Sequence, residues 1–305
     1  MAKTAQTHKN FRYNGKRVAV LSDIHSNACA LEACLADAQA EGADCYIFLG
    51  DYISGLAAPV ETMDLVYATQ KRYPTFCIRG NRERYILDHR NGTQVCEEGS
   101  NTGSFLFTSN QLRDEDIAFF ESLPIFDVIE VGGVTLEVAH ATQNNDRYYF
   151  EKGDSKISGV VHQMKAQYLL CGHSHKQFQY NEGNKAVINP GSVGLPQGSD
   201  HRAQYLLLDI ADGSVHCRFR QVDYDVKNMI HQQFQSGLVG MGRCWAISDL
   251  YGALTGEEYT KMLLTEMYKH ETPATIAAAD EQLWEHCAAG LGMRFTEEEI
   301  LAAFP

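Results

Sequence analysis

Seven polar residues stand just beyond apolar runs in this chain. Asp23 and His25 follow the run 18–21, Asp51 follows 45–49, Asn81 follows 75–78, His140 follows 134–139, and His173 and His175 follow 168–171. Carboxylate, imidazole and amide oxygen together suit a first-row transition metal such as Mn²⁺, Fe²⁺ or Zn²⁺. Seven donors are too many for one ion and fit two, which a shared carboxylate would hold roughly 3.5–4 Å apart. Asp23 and His25 are two positions apart, so on an extended backbone both point to one side and converge at a strand's carboxyl end. An ion pair of this kind lowers the pKa of a water and neutralises charge that develops on a phosphoryl group.

Donors scattered over 150 residues meet only if regular elements bring them together. The apolar run 18–21 reads as a buried strand, and Asn27 as the N-cap of a helix over about 28–40 that Gly42 ends. A second buried strand at 45–49 ends at Gly50-Asp51. Pro59 opens a helix to about Arg72, and a third strand at 75–78 ends at Gly80-Asn81. This alternation predicts right-handed crossovers and a parallel sheet, whose sites gather at the carboxyl ends of its strands. Residues 82–112 read as a polar, helical and looped excursion, and 112–123 as a short helix stopped by Pro124. The runs 125–131 and 134–139 flank Gly132-Gly133 and predict a hairpin. A helix near 157–166 leads to the strand before Gly172-His173-Ser174-His175; short strands follow at 178–180 and 186–188. A Pro/Gly turn spans 189–194, and 205–210 with 214–222 straddle Asp212-Gly213 as a closing hairpin.

From about Val226 strand signals disappear. The stretches 257–268, 273–289 and 296–303 read as helices, and Thr296 with Glu299 fits a capping box. The reading is therefore a flexible N-terminal tail over 1–16, an α/β domain over 17–225, and a helical C-terminal extension over 226–305 packed on the core, a candidate lid or homo-oligomer contact.

Composition narrows the classes. A hydrophobic fraction of 44% with 21% charged residues is that of an ordinary globular protein. No apolar run is long enough to span a membrane, and residues 1–10 lack the apolar stretch of a signal peptide. Nine cysteines, an odd number without a CxxC pair, read as reduced thiols in a cytoplasmic protein. The net charge of −13 argues against a nucleic-acid polymer or an anionic membrane as partner. It leaves room for a small phosphorylated substrate, because bound cations reverse the local sign.

In this order, the motifs DIH, GD, GN, a lone His and GHSH resemble those of the calcineurin-like metallophosphoesterase superfamily. The resemblance covers roughly residues 17–222, and the Asn-Pro-Gly-Ser-Val-Gly turn is most similar to its small YfcE-like bacterial and archaeal branch. It implies a two-sheet α/β sandwich flanked by helices with a dinuclear site at the strand ends. Asp23, His25 and His175 would hold one divalent ion, and Asn81, His140 and His173 the other. Asp51 would bridge them, and a metal-bridging hydroxide would attack phosphorus. The implied activity is hydrolysis of a nucleotide, a dinucleoside polyphosphate or another phosphomonoester or diester. A protein phosphatase, or a non-catalytic interaction scaffold such as a related fold provides in membrane trafficking, are the alternatives.

Two positions depart from the family pattern. Where many relatives carry a histidine after the GN asparagine, this chain has Arg82; it is a poor general acid but can grip phosphate oxygens in a bidentate way. The alternative use is a surface arginine paired with Glu83 or Asp88. Ala141 replaces the glycine that often follows His140. Asn27 and Ser192 are candidate substrate contacts, His162 a candidate pocket residue, and Tyr148 to Phe150 a candidate stacking surface; capping, solvation and core packing are the competing uses.

Overall fold

The computed structural model describes residues 11–211 and 213–304. In chain order the elements are β1 (Arg12–Tyr13), β2 (Arg17–Leu21), α1 (Ala28–Ala40), β3 (Cys45–Phe48), α2 (Pro59–Arg72), β4 (Thr75–Cys77) and α3 (Asn81–Arg90). Then come α4 (Gly103–Gln111), α5 (Asp114–Ser122), β5 (Phe126–Val131), β6 (Val134–Ala139), α6 (Lys156–Gln163), β7 (Tyr168–Leu170), β8 (Gln177–Glu182) and β9 (Lys185–Pro190). The chain closes with β10 (Ala203–Ala211), β11 (Ser214–Val222), α7 (Val226–Gln235), α8 (Leu238–Thr255), α9 (Tyr259–Met267), α10 (Glu281–Gly290) and α11 (Glu297–Ala303).

The strands form two facing sheets, one ordered β11-β10-β2-β3-β4 and the other β1-β5-β6-β7-β9-β8. The pairs β2–β3 and β3–β4 are parallel, as the alternation requires, and so are β6–β7 and β7–β9. Alternation along β2 divides its side chains between two cores. Val18 and Val20 pack between the sheets with Ile47, Phe76, Leu136 and Leu208. Ala19 and Leu21 pack outward against α1 and α2 through Leu31, Cys34 and Met63. A strand buried on both faces reads as an unbroken apolar run, which is why it carried no alternation in the sequence. Asn27 caps α1, its Oδ1 accepting from Ala30 N at 3.1 Å.

Of the tail expected over 1–16, residues 1–10 lie outside the described residues. Arg12 and Tyr13 instead pair in parallel with Glu130 and Val131, so that part is a sheet edge. Asp212 of the closing hairpin is likewise outside the described residues. The helix expected over 273–289 is broken: a 3₁₀ turn spans Ile276–Ala278, and Asp280 restarts the helix by accepting from Gln282 N. The helices α7 and α8 were not assigned from sequence. In α8, Cys244, Ala246, Ile247, Leu250, Tyr251, Ala253 and Leu254 are all buried, so no polar stripe betrays the helix. These helices share an apolar core with Leu56 and Leu195 of the sandwich. The nine cysteines are free thiols, most of them buried. Among the described residues no helix is long and apolar enough to cross a membrane.

Candidate metal centre

The carboxyl ends of β2, β3, β4, β6 and β7 deliver the strand-tip residues to one cleft. Backbone hydrogen bonds from Asp23 N to Gly50 O (3.1 Å) and from His25 N to Asp51 O (3.0 Å) join the first two tips. Gly80 brings the third tip against them: a Cβ there would lie 2.2 Å from Asp51 Oδ1, so glycine is required. Asp23, His25, Asp51, His173 and His175 all have positive φ, between 52° and 66°. Asp and His tolerate this left-handed region better than most residues, yet each such conformation costs on the order of 1–3 kcal/mol and persists only where its surroundings hold it.

Two groups of donors result. Asp23, His25 and His175 offer ligand atoms within 4.8 Å of one another, and so do Asp51, His140 and His173. Asp51 Oδ2 faces both, at 3.7 Å from His25 Nε2 and 3.4 Å from His140 Nε2. Asn81 Oδ1 lies 3.1 Å from His140 Nε2. All seven residues singled out from sequence therefore meet.

The chemistry of these donors fits cations. His25 Nδ1 donates to the Ser54 carbonyl and His175 Nδ1 to the Leu195 carbonyl, which leaves Nε2 of each ring facing the cleft. Their Nε2 atoms then lie 3.1 Å apart, with Asp23 Oδ1 3.3 Å from His175 Nε2, so all three reach one point where a cation could be held. Burial, with His175 next, holds the His25 imidazolium pKa down at about 3, so this ring is neutral as a ligand must be. Burial, with His140 next, lowers His173 to about 4. Burial opposes ionisation of Asp23 and Asp51, but facing histidines, His175 for the first and His140 for the second, hold both below the usual carboxylate range. Burial also opposes charge on His140, yet Asp51 and Asp23 outweigh it and raise this ring. A proton retained between two buried carboxylates stands where a cation would.

The sequence profile of the calcineurin-like phosphoesterase superfamily domain matches residues 17–213. The chain belongs to this superfamily. It is 27% identical over 227 residues to an uncharacterized protein of Methanocaldococcus jannaschii, covering 69% of this chain and 88% of that one. The fold is similar to that of a metallophosphoesterase from Sphaerobacter thermophilus, with a TM-score of 0.63 and 21% identity over 79% of this chain and 100% of that one. It is also similar to a hypothetical protein from Pyrococcus horikoshii, with a TM-score of 0.67 and 19% identity over 79% of this chain and 99% of that one.

Set in this superfamily fold, several softer candidates are corrected. Asn27 and Ser192 are buried and committed to the scaffold. Asn27 donates to Gly194 O in addition to capping α1. Ser192 Oγ donates to Asp23 O (2.6 Å) and accepts from Leu195 N (2.8 Å), so neither side chain is left for a substrate. His162 is a solvated partner of Glu182. Phe150 belongs to the core beneath β7, whereas Tyr149 presents its ring edge-on to His173. Arg82 pairs with neither Glu83 nor Asp88. Its guanidinium lies over the Phe105 ring, 5.3 Å from the centroid, and its Nε is buried, 3.8 Å from Asp51 Oδ2 and without a hydrogen-bond partner.

Sequence reasoning missed two acids. Glu83 is fully buried, and its carboxylate accepts from the backbone N–H groups of Asp51 (2.9 Å), Tyr52 (2.8 Å) and Gly80 (2.9 Å), tying the GD and GN tips together. Its place three residues after Gly80 is a capping-box spacing that could have flagged it. Asp249 reaches the cleft from α8; the available signal was a lone carboxylate inside an apolar helix.

Proposed function

We propose that this protein is a metal-dependent phosphoric ester hydrolase acting on a small phosphorylated substrate. The observation that carries the reading is the convergence of two donor triads on either side of Asp51, with the Arg82 guanidinium in the same cleft. In this reading Asp23, His25 and His175 hold one ion, Asn81, His140 and His173 the other, and Asp51 is shared. Oxygen and nitrogen donors of this mixture suit Mn²⁺, Fe²⁺ or Zn²⁺. Two such ions supply positive charge to phosphoryl oxygens and lower the pKa of a water. The chain's own contribution is placement. The buried tips hold the donors rigid, and Arg82 orients the phosphoryl group through charge-assisted hydrogen bonds. No side-chain nucleophile is required, so no covalent phosphoryl-protein adduct forms.

Purified protein with Mn²⁺ is expected to hydrolyse p-nitrophenyl phosphate or its bis ester, with about two equivalents of metal by elemental analysis. Full metal occupancy with no turnover of either ester or of a panel of phosphorylated metabolites would sink the enzyme reading. Replacing Arg82 with alanine is expected to lower kcat/KM by roughly 10–100-fold. The loss should be similar for good and poor leaving groups, because Arg82 grips the part that all esters share. A negligible loss on both would remove Arg82 from the mechanism.

A further inference from the structure

The cleft has two walls of different origin. Its floor consists of Asp51, Asn81, Arg82, His173 and His175. Its roof comes from α8 and the segment leading into α9, with Asp249, Glu257 and Glu258 among the lining residues. The cleft volume is about 160 Å³, small beside the roughly 300 Å³ at which drug-sized pockets begin, and it opens to solvent. Glu258 is neutralised by Lys176 (3.2 Å) and Lys261 (2.9 Å). Asp249 has no such partner: it is 4% exposed, and among the described residues no Lys, Arg or His nitrogen lies within 4.0 Å of it. Its hydrogen-bonding neighbour is Trp245, one turn back on the same helix. On the floor, the buried Arg82 Nε is likewise without a hydrogen-bond partner. The cleft thus holds on one side a guanidinium whose Nε makes no hydrogen bond, and on the other a buried carboxylate with no cationic partner within 4.0 Å among the described residues.

We infer that the substrate is a small dipolar phosphate ester: its phosphoryl group rests on the floor at Arg82, and its alcohol part turns an amine or hydroxyl donor toward Asp249. A second anion on the alcohol part is excluded by the same carboxylate. This deepens the phosphoesterase reading and rests on it. Burying a carboxylate without a cationic partner is unfavourable, and a ligand ammonium is the group that relieves it best. The environment of Asp249 agrees. Burial pushes its pKa up to about 6, while Arg82 and His175 only partly oppose this. The acid is ionised at pH 8. Recognition of a donor by a site carboxylate, with rejection of an anion at the same place, is specificity achieved by attraction and repulsion together.

Three two-carbon esters that differ only at the far end test this at pH 8 with Mn²⁺: phosphoethanolamine, 2-hydroxyethyl phosphate and 2-phosphoglycolate. The expected order of kcat/KM is ammonium, then hydroxyl, then carboxylate, with at least a tenfold gap between first and last. In Asp249→Asn, which keeps shape and removes charge, the ratio of first to last should shrink at least fivefold. A wild-type enzyme that takes 2-phosphoglycolate as readily as phosphoethanolamine overturns the inference without any variant, and so does an Asp249→Asn ratio equal to wild type. In both cases the phosphoesterase reading stands. Failure to hydrolyse any of the three esters while p-nitrophenyl phosphate or its bis ester is turned over overturns this inference alone; failure on all of these and on the metabolite panel, with metal bound, overturns the phosphoesterase reading with it.

Discussion

Asp51→Asn is expected to reduce kcat/KM by about 10²–10³-fold or more and to leave the protein with less than its full metal complement. Asp51 Oδ2 faces histidines of both donor groups at 3.7 and 3.4 Å, so one substitution touches both sites at once. The amide keeps an oxygen but loses the charge that draws cations into the cleft. Its second oxygen, Oδ1, accepts from Arg82 N at 2.8 Å, and an amide nitrogen there would set donor against donor. Elemental analysis of the variant beside wild type separates the outcomes. Full occupancy with near-normal turnover would show that Asp51 is not the shared ligand.

Glu83→Ala is the second large effect, and it acts on the frame. Three backbone N–H groups from two different strand tips end on this one carboxylate, which is fully buried. Truncation leaves all three donors unpaired, at a cost of about 3–5 kcal/mol. The urea midpoint should fall accordingly at an unchanged slope. Glu83→Gln, which retains one acceptor, should lie between alanine and wild type. Burial, followed by the charge of Asp51, pushes the Glu83 pKa up to about 7. The two buried carboxylates therefore repel each other, and cations beside Asp51 relieve that repulsion. Metal affinity should fall about 10–100-fold in Glu83→Ala, since Asp51 loses its brace. A variant as stable as wild type, with unaltered metal affinity, would show that the tips hold themselves.

The strand tips were legible because two signals coincide at each: an apolar run long enough for a strand, and a metal-compatible residue just past its end. Neither depends on knowing what lies across the cleft. Asn27 and Ser192 were misread because proximity to the motifs is visible in sequence, whereas the direction of a side chain is not. Both turn inward to hold Gly194, Leu195 and the Asp23 carbonyl. Glu83 entered only as an alternative partner for Arg82, but adjacent residues on a helix point in different directions, and Glu83 turns to the strand tips instead. The helices α7 and α8 stayed unassigned because a helix buried on nearly all sides carries no stripe. Pro273 and the alanines after it suggested one helix, but Asp280 is a stronger start signal and begins a new one.

The donors of the metal centre all lie between Asp23 and His175, while the roof is supplied by residues near Asp249 and Glu258. Chemistry and selectivity are therefore inherited on separate stretches of chain. If the proposed reading holds, substitutions along α8 retune which alcohol is accepted without disturbing a single ligand, so descendants of one ancestor diverge in diet while keeping the same reaction. What limits this freedom is the seam between the halves. There Gly103 sits so close to α8 that a Cβ would lie 1.9 Å from the Met241 carbonyl oxygen, and Glu281 accepts from both Ser100 N and Ser100 Oγ at 2.7 Å. A roof transplanted from a cousin would have to bring matching atoms to Gly103 and Ser100, and chimeras that respect those two positions are the ones that should exchange substrate preference intact.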